Sequence, residues 1–515
     1  MAWGAPRGVD DLVTKLKSNN TATTMCILST RKFGPTEAVA FSAALADNTS
    51  LRELLASGHP LGAAEAAAFG QAMSRNTTLR SLCVGDNDFG DEGVLALVEG
   101  LQFNSGLLVL DLEYKSIASG EGLGVLLRTH RTLADLRLGR NQLGESGIKA
   151  LSVGLSRNSK LLRLDLSGNM LNAAAAETLG CALSRAAPSA AHSDGDGGEG
   201  ASCGTNAGPP PLEYLDVSKN PLGDEGGAAF IEALTGTGCG AASSLTSLRM
   251  AEAGLGAASA AALARALAPR ITANPGATGE APGGKEEGLA AAAAAAAAAE
   301  TATGTTCAVR GLPLLKVLDL SNNELGAGGA KDLAGALGRG GAPQLESLSM
   351  GYNSVGDEGA VALGRAARAG LRVLDLSGNA LSGAGMRGAL STPGLREAKL
   401  FHNACADEGV PLVLDAITVG GSLETLDLGA NGLTGAGLET LLQGLAACSS
   451  LQTLEVGANS NDDRAEAAVR NSQANNPGLD IAFRRGGEAM EGSGAPPNVL
   501  DGLPTQGLPH GSGGD

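Results

Sequence analysis

Leu161-Leu-Arg-Leu-Asp-Leu-Ser-Gly-Asn169 and Leu371-Arg-Val-Leu-Asp-Leu-Ser-Gly-Asn379 are near-identical stretches of one chain, and Leu423-Glu-Thr-Leu-Asp-Leu-Gly-Ala-Asn431 is a close third. All three read L-x-x-L-x-L-x-x-N. Segments beginning at Leu79, Leu133 and Leu451 follow the same pattern, with Val in the third Leu slot at two of them. Laid in register, the chain holds fourteen units of about 28 residues, starting at Thr23, Leu51, Leu79, Leu107, Leu133, Leu161, Leu212, Leu245, Leu315, Leu345, Leu371, Leu395, Leu423 and Leu451. A repeat of this length predicts a solenoid, in which each unit touches its neighbours and the molecule presents a long surface rather than a pocket.

Within a unit the hydrophobic period changes. Leu161, Leu164 and Leu166 mark a short strand, where side chains alternate between faces. A glycine-acidic turn follows, as in Gly90-Asp-Glu-Gly93, Gly223-Asp-Glu-Gly226 and Gly356-Asp-Glu-Gly359. Its acidic residues stand at a helix start, where free N–H groups and the dipole favour them. Helical spacing comes next, as in Ile148, Leu151 and Leu155. One strand and one helix per unit predict an α/β horseshoe with a parallel sheet on the concave face and helices on the convex face. Asn stands eight residues past the first position in ten units: Asn87, Asn141, Asn169, Asn220, Asn323, Asn353, Asn379, Asn403, Asn431 and Asn459. An amide both donates and accepts, so this column predicts a ladder that satisfies backbone groups at the bend after each strand. The exceptions are Arg31, His59, Lys115 and Ala253.

The pattern resembles the leucine-rich repeat family. The long unit with an L-G-D-E-G-type turn is similar to its ribonuclease-inhibitor-like subfamily, over residues 23 to about 483. That resemblance implies a protein-binding scaffold, inhibitor or sensor. The subfamily includes cytosolic inhibitors, sensor domains of NOD-like receptors and activators of the GTPase Ran. With 22 residues before the first unit and no G-x-x-x-x-G-K-[ST] sequence, no nucleotide-binding module is expected.

Residues 1–22, with Asp10-Asp-Leu-Val-Thr-Lys-Leu16, read as an N-terminal helical cap. Residues 23–483 read as one solenoid, interrupted by low-complexity insertions at 185–211 and 269–313 that cannot bury enough apolar area to fold alone. Residues 484–515 read as a disordered tail. The formal charge is −17. This repels nucleic acid and anionic membrane and favours a basic or mixed-charge protein partner. Eight scattered cysteines form no C-x-x-C pair, and Cys26 and Cys405 fill slots that other units give to Leu. No secretory or membrane-spanning run is present, so a cytoplasmic or nuclear monomer is expected, with the sequons at Asn48 and Asn76 unused.

Five histidines, His59, His130, His192, His402 and His510, share no nucleophile or carboxylate partner, and no H-E-x-x-H or G-x-S-x-G occurs. No catalytic residue, metal site or cofactor is expected. The informative residues are those predicted to face out of the concave sheet. Their central column reads Ile27, Leu55, Cys83, Asp111, Arg137, Asp165, Asp216, Arg249, Asp319, Ser349, Asp375, Lys399, Asp427 and Glu455. The acidic stripe, broken by Arg137, Arg249 and Lys399, is read as a binding surface for a basic partner. The other reading, that L-D-L-S serves local strand geometry, stays open. Tyr114, Arg140, Tyr214, Tyr352, Phe401 and His402 depart from the consensus, and the last three sit on neighbouring units as candidate anchors. A regulator of a small GTPase is the alternative function, and no residue is assigned to it.

Overall fold

The structure, a computed structural model, describes residues 8–184, 210–236, 241–268, 311–366, 370–446 and 448–483. Insertion residues 185–209 and 269–310 and the tail 484–515 lie outside them. The strands are β1 (Met25–Ile27), β2 (Glu53–Ser57), β3 (Ser81–Gly85), β4 (Val109–Asp111), β5 (Asp135–Arg137), β6 (Arg163–Asp165), β7 (Tyr214–Asp216), β8 (Ser247–Arg249), β9 (Val317–Asp319), β10 (Ser347–Ser349), β11 (Val373–Asp375), β12 (Glu397–Lys399), β13 (Thr425–Asp427), β14 (Thr453–Glu455) and β15 (Asp480–Ala482). The helices are α1 (Asp10–Lys17), α2 (Pro35–Ala46), α3 (Ala63–Arg75), α4 (Gly90–Leu101), α5 (Glu121–Thr129), α6 (Gly144–Leu155), α7 (Ala173–Leu183), α8 (Gly223–Thr235), α9 (Ala257–Leu267), α10 (Gly326–Gly338), α11 (Gly356–Ala366), α12 (Gly383–Leu390), α13 (Ala406–Gly420), α14 (Gly435–Leu445) and α15 (Asp463–Asn475).

The strands form one parallel sheet in chain order, β1 to β15. No register slip occurs: one buried column passes from Cys26 through Leu54, Leu82, Leu110, Leu136 and Leu164. It crosses both insertions unbroken, as Leu164 pairs with Leu215 and Leu248 with Leu318. Register holds because a slip by one residue would turn these leucines onto the solvent face. The opening leucines of the units and the helix-facing Leu, Ala and Val close one continuous aliphatic core. Helices wider than strands bend the stack, giving a leucine-rich-repeat horseshoe with its sheet inside. Beyond the fourteen units, β15 adds a further strand, seated by Leu479 and Ile481. At the other end α1 packs Leu12 and Leu16 inward, and Arg31 clamps it through Asp11 Oδ1 (2.8 Å) and the Gly8 carbonyl (2.9 Å). Among the described residues no helix is long and apolar enough to cross a membrane.

The glycine-acidic turn works between units. Gly90, Gly144, Gly223, Gly326 and Gly356 open their helices at positive φ, which glycine adopts without strain. The aspartate after three of them reaches the helix start of the next unit. Asp91 accepts from the Ala118 and Ser119 N–H groups (2.9 and 2.8 Å). Asp224 accepts from Gly256, Ala258 and Ser259 N–H groups (2.9, 3.0 and 2.7 Å), and Asp357 from Ser382. Burial pushes the Asp224 carboxyl up, but these N–H groups outweigh it and leave its pKa below the usual value.

Candidate protein-binding surface on the concave face

Two asparagine series hold the edges of the sheet. In nine units the Asn Nδ2 donates to the carbonyl five places past the start of the preceding unit: Asn141 to Leu112, Asn169 to Leu138, Asn220 to Leu166, Asn323 to Met250, Asn353 to Leu320, Asn379 to Met350, Asn403 to Leu376, Asn431 to Leu400 and Asn459 to Leu428. Most also accept on Oδ1, as Asn403 does from the Asn379 and Leu381 N–H groups (2.8 and 3.0 Å). His59 takes the same role, its Nε2 lying 2.8 Å from the Leu28 carbonyl.

Asn87 departs from the ladder. It is exposed and makes no hydrogen bond among the described residues. β2 and β3 run two residues longer than their neighbours and pair on to Ser57 and Gly85, so their backbone groups need no amide. The buried Lys115 reaches back here, its Nζ donating to Ser57 Oγ (3.0 Å) and the Glu113 carbonyl (2.8 Å), beneath an open hollow of about 420 Å³.

A second series, at the helix-to-strand junction, was missed in the sequence. Asn48, Asn76, Asn104 and Asn158 each stand three residues before the first Leu of the next unit, a spacing visible on inspection. Asn76 Nδ2 donates to the Leu45 and Asn48 carbonyls, and its Oδ1 accepts from Leu79. The amides of the sequons at Asn48 and Asn76 are therefore buried and already bonded in the folded protein, while that of a third sequon, Asn19, is exposed.

On the concave face the aspartates share one geometry. Asp111, Asp165, Asp216, Asp319, Asp375 and Asp427 each accept on Oδ1 from the N–H two residues on, at 2.8 to 3.1 Å. This Asx turn ends the strand. One oxygen of each carboxylate thus serves local geometry. Asp216 is also held by the Tyr214 hydroxyl and Asp375 by the Ser377 side chain; the other four make no further hydrogen bond, and none of the six has an ion pair among the described residues. Burial raises the carboxyl pKa of Asp375, as it does that of Asp427, held at about 6 with Glu455 and Asp375 adding to the effect. Glu113 is pushed to about 7 by burial and then by Asp111 and Asp165.

Two residues read as exposed are not. Asp216 and Arg249 are only 8% and 9% exposed, because Tyr214 and its neighbours close over them. The Tyr214 hydroxyl donates to Asp216 Oδ2 (3.1 Å), while the guanidinium groups of Arg163 and Arg249 lie 4.1 and 5.4 Å from the ring centroid. The remaining cations of the column are balanced within the chain, Arg137 by Asp135 (3.1 Å) and Lys399 by Glu397 (3.4 Å). Glu455 is exposed, at the C-terminal end of the column.

The concave rim carries a row of residues in left-handed backbone, seven places past the unit start in twelve of the fourteen units. It includes Tyr114, Arg140, Lys219, Glu252, Asn322, Tyr352 and His402, with φ between 53° and 59°. Tyr and His adopt this region at a cost, so their presence marks positions to examine. The three residues singled out in the C-terminal half come together, although they are not on adjacent units: the unit of Gly378 stands between Tyr352 and the other two. The rings of Tyr352 and His402 stack at 6.2 Å, and Phe401 lies 6.1 Å from His402. Tyr352 lies over Gly378, where even a Cβ would stand 2.3 Å from the ring. Tyr352 and Phe401 stay 44% and 37% exposed. Among the described residues no group of His, Cys, Asp or Glu is arranged to hold a metal ion.

Residues 75–98, 208–230, 311–334, 343–364, 371–388 and 422–442 match the family model described as Leucine Rich repeat. Leucine-rich repeat-containing protein 45 of Gallus gallus is 38% identical over 99 residues, 18% of this chain, and the match spans only 15% of that protein. Ribonuclease inhibitor of Sus scrofa is 28% identical over 347 residues, covering 62% of this chain and 70% of the inhibitor. An internalin structure from Listeria monocytogenes aligns with 94% of this chain and 98% of its own, at 14% identity and a TM-score of 0.42. The repeats that match the family model, the unit length and the unslipped parallel sheet give the chain a leucine-rich-repeat fold, and in sequence it is similar to ribonuclease inhibitor.

Proposed function

We propose that this protein is a non-catalytic scaffold or inhibitor that holds a basic or mixed-charge protein on its concave face. One observation carries the reading: Asp111, Asp165, Asp319, Asp375 and Asp427 each use one oxygen for a turn and keep the other without an ion pair among the described residues. A column of such carboxylates on a chain of charge −17 attracts cations and speeds encounter with a basic surface. A stiff sheet loses little entropy on binding. The porcine relative is named for inhibiting ribonuclease, itself a protein.

The test is affinity capture at low and high salt, comparing the intact protein with Asp165→Asn, Asp319→Asn, Asp375→Asn in one variant. Asparagine keeps the turn acceptor and removes the charge. A partner lost in the variant and in salt supports the reading. A partner held equally by both moves the binding surface elsewhere and leaves the aspartates with their turn role.

A further inference from the structure

The sequence has three tyrosines, and all lie on the concave face or its rim. Two already carry arginines from the chain itself. The Arg140 guanidinium stands 4.7 Å from the Tyr114 centroid, and Arg163 and Arg249 flank Tyr214 at 4.1 and 5.4 Å. Tyr352 carries none among the described residues. It shares the rim position and backbone of Tyr114, with φ of 56° at both. One unit after Tyr114 stands Arg140; one unit after Tyr352 stands Gly378, on which the ring lies, leaving 44% of the residue exposed.

The surroundings differ in sign as well. Asp375 and Asp427 border Tyr352 closely enough to help burial raise its hydroxyl pKa. A Cβ on Gly351, the residue before Tyr352, would stand 3.4 Å from Asp375 Oδ1. A Cβ on Gly429 would stand 2.9 Å from the Phe401 ring and 3.2 Å from Asp427 Oδ1, so carboxylate and aromatic ring both border this glycine. The one cation of the column nearby, Lys399, is paired with Glu397.

We propose that Tyr352, flanked by His402 and Phe401 and bordered by Asp375 and Asp427, is a receptor for an arginine side chain of the partner. A planar guanidinium stacks on an aromatic face and forks to a carboxylate at once, which an ammonium does not. The chain's own Tyr114 and Tyr214 show the stacking half of that arrangement already formed. The proposal rests on the concave-face reading and names the chemistry of its partner.

The test needs no partner. The full chain is titrated at pH 8 with Nα-acetyl-arginine amide, the matching lysine amide and the neutral citrulline amide, following the ring resonances of His402 and Tyr352. We expect a saturable shift with the arginine probe, about tenfold weaker binding of the lysine probe, and none with citrulline. Tyr352→Asn, which suits the left-handed backbone and so preserves the fold, abolishes the shift, and Tyr352→Phe keeps it. No shift with the arginine probe, a shift that survives Tyr352→Asn, or a preference for lysine overturns the proposal. If the probe binds at Tyr352 while the captured partner ignores the aspartate variant, the receptor stands and the concave-face function falls.

Discussion

At Asp427 stability and binding pull in opposite directions. Burial, then Glu455 on one side and Asp375 two strands away, raise its carboxyl pKa to about 6, against the pull of the Gly429 N–H and of Lys399 on the adjoining strand. An unfolded aspartate titrates near 3.9. The native state therefore binds more protons than the unfolded state between those values, so stability is lost as pH rises through 6. Asp427→Asn removes the charge yet still offers Oδ1 to the Gly429 N–H (2.8 Å). We expect the variant to gain about 1–2 kcal/mol at pH 7.5 in denaturant melts, discounted for partial solvent access, with the gain shrinking between pH 6 and pH 4. A gain that ignores pH would refute the electrostatic account. The asparagine column allows a graded comparison. Asn220 accepts from Asn169 and Leu171 and donates to Leu166 and Val217, whereas Asn169 Oδ1 is buried with no partner. Asn220→Ala should cost about 2–3 kcal/mol and Asn169→Ala about 1 kcal/mol, and equal midpoints would sink that ordering.

Between elements, polar side chains do what the repeat pattern alone does not reveal. His130 sits in the slot that Asn104 and Asn158 fill, and its Nδ1 accepts from the Leu133 N–H (3.0 Å). Its Nε2 is buried without a partner, and burial holds its pKa down to about 4. An unfolded histidine titrates near 6.5, so this site loses stability as pH falls from 6.5 towards 4. Asn104 in the preceding unit donates to two carbonyls, Met73 and Asn76. His130→Asn should therefore raise the unfolding free energy by about 1 kcal/mol at pH 7.5 and by more at pH 5; a loss at both would mean the smaller side chain leaves a cavity that outweighs the bond. Strands, helices and their order were legible because leucine spacing reports burial directly. What the aspartate of G-D-E-G bonds to was not: spacing put Asp224 at the start of its own helix, while its carboxylate reaches the N–H groups of the next unit. The left-handed rim was hidden too, since Tyr352 and His402 are not residues that announce positive φ. Arg249 and Asp216 sit at outward register positions, and only the packing of Tyr214 reveals that they are covered.

For the molecule as a whole, the insertion at 269–313 tests whether the solenoid is one continuous stack. A repeat array is stabilised by contacts between neighbouring units, so an excursion costs little if the neighbours still meet. They do: Arg249 pairs with Asp319 and Leu248 with Leu318 across the interruption, and Asn323 donates to the Met250 carbonyl (2.9 Å). The chain also returns close to where it left, because a Cβ on Gly311 would stand 2.5 Å from the Ala266 carbonyl oxygen. Replacing residues 270–309 with about six glycine and serine residues should leave a single unfolding transition, with a midpoint within about 0.5 kcal/mol of the intact chain. A split transition would show that the inserted residues couple the two halves. An unchanged melt with lost capture of the partner would place part of the binding surface in the insertion, where the concave-face reading predicts none.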